Sequence, residues 1–346
     1  MPQEPIYLDH AATTPLLPEA QAAMQEGFRI WANPSSPHAA GRAARAALED
    51  ARARMKAVLG WQGEVIFTSG ASEALAIGIG RAKAERVLVS AVEHDAALRA
   101  AGAVERLPVD AGGLLDSEAL SAALGGRALV AVQQINSETG VVQDISGIAA
   151  KVRESGGLVL CDAAQGAGKL DLPDADMIVL SAHKFGGPVG VGALLVREWG
   201  LLEPTGGQER GYRGGTEALP LVLGMVAALE AGNQWLKCAS GLRESLTNQL
   251  LENGAEIVAA DSPRSPAIAA YRMPGKSSAA QLIRFDGAGI AVSAGSACSS
   301  GSLKASHVLT AMGYAHPGEV IRVSIGRETT EAEIARFVEV WKEIRR

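Results

Sequence analysis

The chain has 346 residues, 47% of them hydrophobic and 4% aromatic, and its 32 lysines and arginines against 38 acids leave a net charge of −6. That length exceeds one ordinary core and predicts a large domain beside a smaller one. The charge balance argues against a general nucleic-acid or anionic-membrane binder, and the longest apolar run, Leu219 to Leu229, is too short to span a bilayer.

Taken in chain order, Met1 to His10 carries acids and no apolar leader segment. Alanine-rich stretches from Pro18 to Phe28 and Pro37 to Leu59 read as helices flanking a loop at Asn33-Pro34-Ser35-Ser36. Short apolar runs follow at Val65 to Phe67, Arg86 to Ser90, Leu129 to Val132, Leu158 to Cys161, Met177 to Leu180 and Gly192 to Val196. Separated by helical or glycine-containing segments, they predict an α/β fold with a mostly parallel sheet flanked by helices. A helical stretch from Ala218 to about Leu251 precedes separated strands and helices between Ile257 and Val292, the pattern of a smaller α+β domain. The three cysteines, Cys161, Cys238 and Cys298, stand far apart without a C-x-x-C, so neither a disulfide framework nor a metal site is expected, and reduced thiols fit a soluble, cytoplasmic protein.

The chemically loaded segments sit just after the apolar runs, where loops of an open α/β sheet converge on one crevice. Ser181-Ala182-His183-Lys184 follows Asp162-Ala163-Ala164-Gln165 by about twenty residues, setting an amine and a carboxylate where a pyridine cofactor needs both. That spacing points to pyridoxal phosphate. Thr68 to Glu73 opens a helix with hydroxyls and free N–H groups, a phosphate cradle or an ordinary cap; it is no Walker loop, and Gly168-Lys169 is followed by Leu170 and lacks the leading glycine. His94 reads as a ring-stacking histidine or a plain structural one, and Arg322 as a carboxylate anchor or a structural ion pair. Cys298 lies in a run of small residues, Ser293 to Gly301, which suits a mobile loop delivering a thiolate, whereas Cys161 and Cys238 fit an inert role.

Tyr7-Leu8-Asp9, Ala11 to Pro15, Asn33 to Ser36, Phe67 to Gly70, Glu93-His94, Glu138-Thr139-Gly140, Asp162 to Gln165, Ser181 to Lys184, Gly214-Gly215-Thr216 and Gly295 to Ser299 together resemble the cysteine desulfurases nearly end to end. The resemblance implies a class V, fold-type I pyridoxal phosphate enzyme with a seven-stranded sheet: residues 15–240 as the large cofactor-binding domain, residues 1–14 with 241–346 as the small one. It implies a homodimer that takes sulfur from L-cysteine, leaves L-alanine and passes a Cys298 persulfide to an acceptor protein, as in iron–sulfur cluster assembly. In that pattern Lys184 holds the cofactor, Asp162 pairs with its ring nitrogen, Gln165 contacts its phenolic oxygen and His94 stacks on the ring and relays protons. Ala71, Ser72, Ser181 and His183 form the phosphate site, Thr216 reaches it from the partner subunit, and Arg322 with Asn33 holds the substrate carboxylate.

Three departures stand out: Ser137 replaces the family's second asparagine and would reach the ring oxygen through water, Ala74-Leu75 replaces a pair of asparagines, and His10 replaces another. The chain ends soon after Arg322, where relatives continue into a tail that docks a scaffold protein, so the acceptor is left open. The competing readings are a selenocysteine lyase or other class V β-lyase, and a cofactor-binding assembly partner with little activity.

Overall fold

The computed structural model describes residues 5–295 and 306–346, so Cys298 lies outside the described residues. The first half of the chain forms β1 (Ile6–Tyr7), α1 (Pro18–Arg29), α2 (Ala39–Leu59), β2 (Glu64–Thr68), α3 (Ala71–Gly80), β3 (Arg86–Ser90), α4 (Asp95–Ala101), β4 (Glu105–Leu107), α5 (Ser117–Ala123), β5 (Ala128–Gln133), α6 (Ile145–Glu154) and β6 (Leu158–Asp162). There follow β7 (Met177–Ser181), β8 (Gly192–Val196), α7 (Leu219–Glu230), α8 (Leu236–Glu252), β9 (Glu256–Ile257), β10 (Ile268–Arg272), α9 (Ser278–Gly287), β11 (Ile290–Ala291), α10 (His307–Ala311), β12 (Val320–Ser324) and α11 (Glu331–Arg345).

The large sheet has the order β2-β8-β7-β6-β5-β3-β4 and is parallel except at β8, which runs against both neighbours. Apart from the edge strand β4, its strands are largely buried on both faces, and their alternate residues feed two cores. Val130, Val132, Val159, Cys161, Ile178 and Leu180 face one way against α1, α2, α6 and α7, while Leu129, Ala131, Leu160, Met177, Val179 and Leu194 face the other against α3 and α4. In α3, Gly78 lets the helix approach the sheet, since a Cβ there would stand 2.3 Å from Leu160 Cδ1. Ala74 and Leu75 are buried in the same face. Asparagine side chains at those two positions would have to find hydrogen-bond partners inside an apolar core.

The smaller sheets join the ends of the chain: β1 pairs in parallel with β11, and β10 pairs with β12 and β9. Around them Leu8, Tyr271, Phe285, Phe337 and Trp341 form a separate core under α8, α9 and α11. Helix α11 begins with a Thr330/Glu333 capping box.

Two local readings are corrected. The helical stretch expected from Ala218 to Leu251 is two helices, because Gly232 takes a left-handed φ of +73° after α7 and the chain turns through Asn233 before α8. A seventh strand, β4, lies at the sheet edge, where only Leu107 of Glu105-Arg106-Leu107 is buried, so no apolar run announces it. Among the described residues no helix is long and apolar enough to cross a membrane.

Candidate active site

Strands β2, β3, β5, β6 and β7 all finish at one edge of the sheet, and β8, running the other way, begins there. The loops at that edge enclose a cavity of about 580 Å³ lined by residues of the segments 69–73, 92–96, 133–138, 162–165 and 181–184 and by Arg322, among others. Of the residues singled out from sequence, Ala71, Ser72, His94, Ser137, Asp162, Gln165, Ser181, His183, Lys184 and Arg322 all line this one space.

Asp162 is the last residue of β6, and its carboxylate accepts from Ala164 N at 2.9 Å. Burial raises its pKa above the ordinary carboxyl range, while the Ala164 N–H, His94 and Lys184 pull it back down. Lys184 closes a short 3₁₀ turn, Ala182–Lys184, and its Nζ donates to Ala11 O and Ala12 O, both at 2.7 Å. Gln165 Nε2 donates to the same Ala11 O at 2.8 Å. His183 meets Thr13 Oγ1 at 3.2 Å, and burial with the charges of Lys184 and Lys169 brings its pKa down to about 4, so the ring is neutral near pH 7. His94 caps α4, its Nδ1 accepting from Ala96 N at 3.1 Å. That bond places the other ring nitrogen on the opposite side of the imidazole.

At the far end of the cavity, α3 starts without a side-chain cap, so its first N–H groups are available where Gly70, Ala71 and Ser72 line the space. Glu73, also in that turn, is tied to Arg213 at 2.9 Å and to Ser69 N at 2.5 Å. Uncapped helix N–H groups, the hydroxyls of Ser72 and Ser181, a buried carboxylate on the floor and an amine on the wall fit an anionic pyridine cofactor such as pyridoxal phosphate.

Arg322, 4% exposed on β12, forms the structural ion pair and lines the cavity at once: Nη2 meets Asp9 Oδ1 at 2.6 Å and Nη1 donates to Ser137 O at 2.9 Å. Its Nε has no partner among the described residues. Arg322 N also donates to Ser293 O at 2.7 Å, and Ser306 Oγ donates to Glu138 Oε2 at 2.5 Å. Ser293 and Ser306, on either side of residues 296–305, are therefore each bonded to a residue of the cavity wall. Asn33 and Thr216 are exposed and do not line this cavity within one chain. Asn33 instead bonds its own loop, accepting from Ser35 N at 2.8 Å.

Three residues of this region carry no role in the sequence reading. Glu93 is 1% exposed and accepts from Gln133 N at 2.8 Å, beside the Gln133–Asp162 pair of β5 and β6; burial first and Asp162 second raise its pKa well above the usual range. His307 lines the cavity with Nε2 2.9 Å from Glu93 O. Lys169 is buried behind Gln165, its Nζ 3.4 Å from Gln165 Oε1. The position of Glu93 just after a strand was a usable signal; His307 and Lys169, outside any strand-end motif, offered none. Cys161 is fully buried in a core, as its apolar strand suggests, whereas Cys238 is exposed on α8.

The model of the family described as Aminotransferase class-V matches residues 6–337. A cysteine desulfurase of Bradyrhizobium diazoefficiens is 40% identical over 96% of this chain and 93% of that protein. Among solved structures, a NifS-like protein from Rickettsia africae superposes with a TM-score of 0.90 at 29% identity, covering 99% of each chain. A structure described as SspA in complex with cysteine gives a TM-score of 0.80 at 29% identity over 94% of this chain and 100% of that one. With a family model spanning nearly the whole chain, a full-length relative and a strand-edge cavity that gathers the same motifs, this chain belongs to the aminotransferase class-V family.

Proposed function

We propose that the protein is a cysteine desulfurase that uses pyridoxal phosphate to take sulfur from L-cysteine, leaving L-alanine and a persulfide on Cys298. The observation that carries this reading is the single cavity holding Asp162, Lys184, His94 and Arg322, with the chain on either side of Cys298 fastened to its wall. Curated relatives that are cysteine desulfurases along nearly their full length support it.

When bound, the cofactor supplies an electrophilic carbonyl and an electron-withdrawing ring. Lys184 anchors it and then moves the proton at the substrate Cα; Asp162 holds the proton of the ring nitrogen; Gln165 donates to the phenolic oxygen, with Ser137 behind it through water. Ala71, Ser72, Ser181 and His183 hold the phosphate, and Thr216, exposed in one chain, meets the phosphate of a partner subunit in a homodimer. Arg322 holds the substrate carboxylate, and His94 stacks on the ring and moves the proton of the substrate thiol. The Cys298 thiolate forms an S–S bond to the substrate sulfur as the Cβ–S bond breaks; the electron pair stays on the carbon product, which gains protons and leaves as alanine. The persulfide then passes to an acceptor protein.

The test is an absorbance spectrum of the protein loaded with pyridoxal phosphate, before and after L-cysteine, with alanine, sulfide released by a thiol reductant and the mass of the Cys298 peptide measured together. The expected result is a visible band that shifts with cysteine, alanine and sulfide in equal amounts, and one extra sulfur on Cys298. Alanine formed only from selenocysteine, without sulfur on Cys298, would favour a lyase; a band indifferent to both amino acids would leave a cofactor-binding partner protein.

Arg322→Lys tests the carboxylate anchor. Lysine keeps the charge and loses the planar fork, removing a charge-assisted bond of about 1.5–3 kcal/mol. The expected change is a fall in kcat/KM for cysteine of about 10-fold to 100-fold, carried mainly by KM. An unchanged KM would reduce Arg322 to the partner of Asp9.

A further inference from the structure

Lys169 is 6% exposed, and among the described residues no carboxylate pairs with it. The groups that share its electrostatic surroundings are Lys184, His10 and His183, all cationic or neutral, and its backbone carbonyl is held by Asn233 Nδ2 at 2.9 Å. A buried lysine without a counter-charge is costly to keep and calls for a reason. The hydrogen bonds supply one. Ala11 O can only accept, so the Gln165 atom 2.8 Å from it is the NH2, and Oε1 must then face Lys169 Nζ at 3.4 Å. The same Ala11 O accepts from Lys184 Nζ at 2.7 Å. Lys169, the Gln165 amide, Ala11 O and Lys184 thus form one chain of donors and acceptors running from the buried side into the cavity.

We propose that Lys169 is a positioning residue: it donates to Gln165 Oε1 from behind, keeps the second amide N–H of Gln165 turned into the cavity toward the cofactor's ring oxygen, and sets its positive charge against Lys184. Polarisation along such a chain makes the Gln165 amide a stronger donor, and a neighbouring cation is a known way of lowering the proton affinity of an anchoring lysine. Burial, with the charge of Lys184 second, brings the Lys169 pKa down to about 7, so its charge changes within the working range. This inference rests on the pyridoxal phosphate reading above.

The experiment uses the full chain loaded with pyridoxal phosphate and follows the visible band of the bound cofactor from pH 5 to 10 in the parent, Lys169→Met and Lys169→Arg, with melting temperatures in parallel. The parent is expected to show an inflection near pH 7 besides the main transition. K169M is expected to lose it and to move the main midpoint upward by at least half a pH unit, since the repelling charge is gone. K169R, charged throughout, is expected to lose the inflection without that upward move. A merely structural lysine predicts the reverse pattern, a lower melting temperature with an unmoved titration. The proposed role predicts a melting temperature held or raised in K169M, because unfolded lysine keeps its proton to about 10.4 while the buried one gives it up near 7, and methionine removes that cost. An unchanged midpoint with the inflection intact in either variant overturns the proposal, as does failure of both variants to fold. A parent that takes up no pyridoxal phosphate overturns the cofactor reading instead.

Discussion

Lys184→Ala is expected to lower cysteine turnover by at least about 10⁴-fold, since a positioned general base alone contributes about 10²-fold to 10⁴-fold and the covalent anchor of the cofactor goes with it. The geometry explains why no neighbour should substitute. Lys184 is the amine on the cavity wall, aimed by two backbone carbonyls at 2.7 Å, while Lys169 stands behind Gln165 and does not line the space. Added pyridoxal phosphate should still bind through the phosphate and ring contacts but be removed by dialysis, and a small primary amine in the buffer should restore part of the activity. Lys184→Arg, which keeps a charge but not a nucleophile, should be as inactive as the alanine variant. The check is single-turnover alanine formation at saturating cofactor; a variant retaining more than about one-hundredth of the parent rate would remove Lys184 from its role, because that residue would then account for less than 3 kcal/mol of the barrier.

The parts of this molecule that could be read from sequence share a physical reason. Each strand of the large sheet except the edge strand β4 is largely buried on both faces, so it appears as an apolar run, and the residue that ends the run is forced to the sheet edge where loops converge. Asp162 after Leu158 to Cys161, and Ser181 after Met177 to Leu180, were legible for that reason. What escaped depends on contacts between distant segments. Nothing local marks β4, whose three residues pair at an edge with two of them exposed, and nothing local tells the buried Lys169 from a surface lysine. Arg322 was readable as anchor or ion pair but not as both, because Asp9 is brought against it by the pairing of the N-terminal segment with β12, over 313 residues of chain.

Another interaction of this hidden kind is the pair between Arg52 on α2 and Glu209, 157 residues apart, and Glu209→Ala is expected to cost about 3–5 kcal/mol of stability. Arg52 Nη1 and Nη2 meet the two Glu209 oxygens at 2.8 and 3.0 Å, with both residues under a tenth exposed. Glu209 Oε2 also accepts from Phe67 N at 2.8 Å, Arg52 Nη1 donates to Val65 O at 2.6 Å, and the guanidinium lies 4.7 Å from the centre of the Phe67 ring. The pair thus locks α2 and β2 to the loop that leads to Thr216. That loop needs holding, since Glu209 and Arg210 both take left-handed φ values, +45° and +56°, that side chains disfavour. Removing the carboxylate leaves Arg52 buried with only Glu49, 3.2 Å from its Nε, as an acidic partner and lets the loop relax, whereas Glu209→Gln keeps the shape and one acceptor and should cost less. Urea unfolding of the two variants measures both costs. If the alanine variant lost under about 1 kcal/mol, the pair would rank with ordinary surface ion pairs. In the homodimer proposed above, where Thr216, seven residues beyond Glu209, meets the partner's cofactor phosphate, a subunit with this loop loosened should also hold pyridoxal phosphate less tightly, and the rate of cofactor loss in the glutamine variant reads that coupling without unfolding the chain.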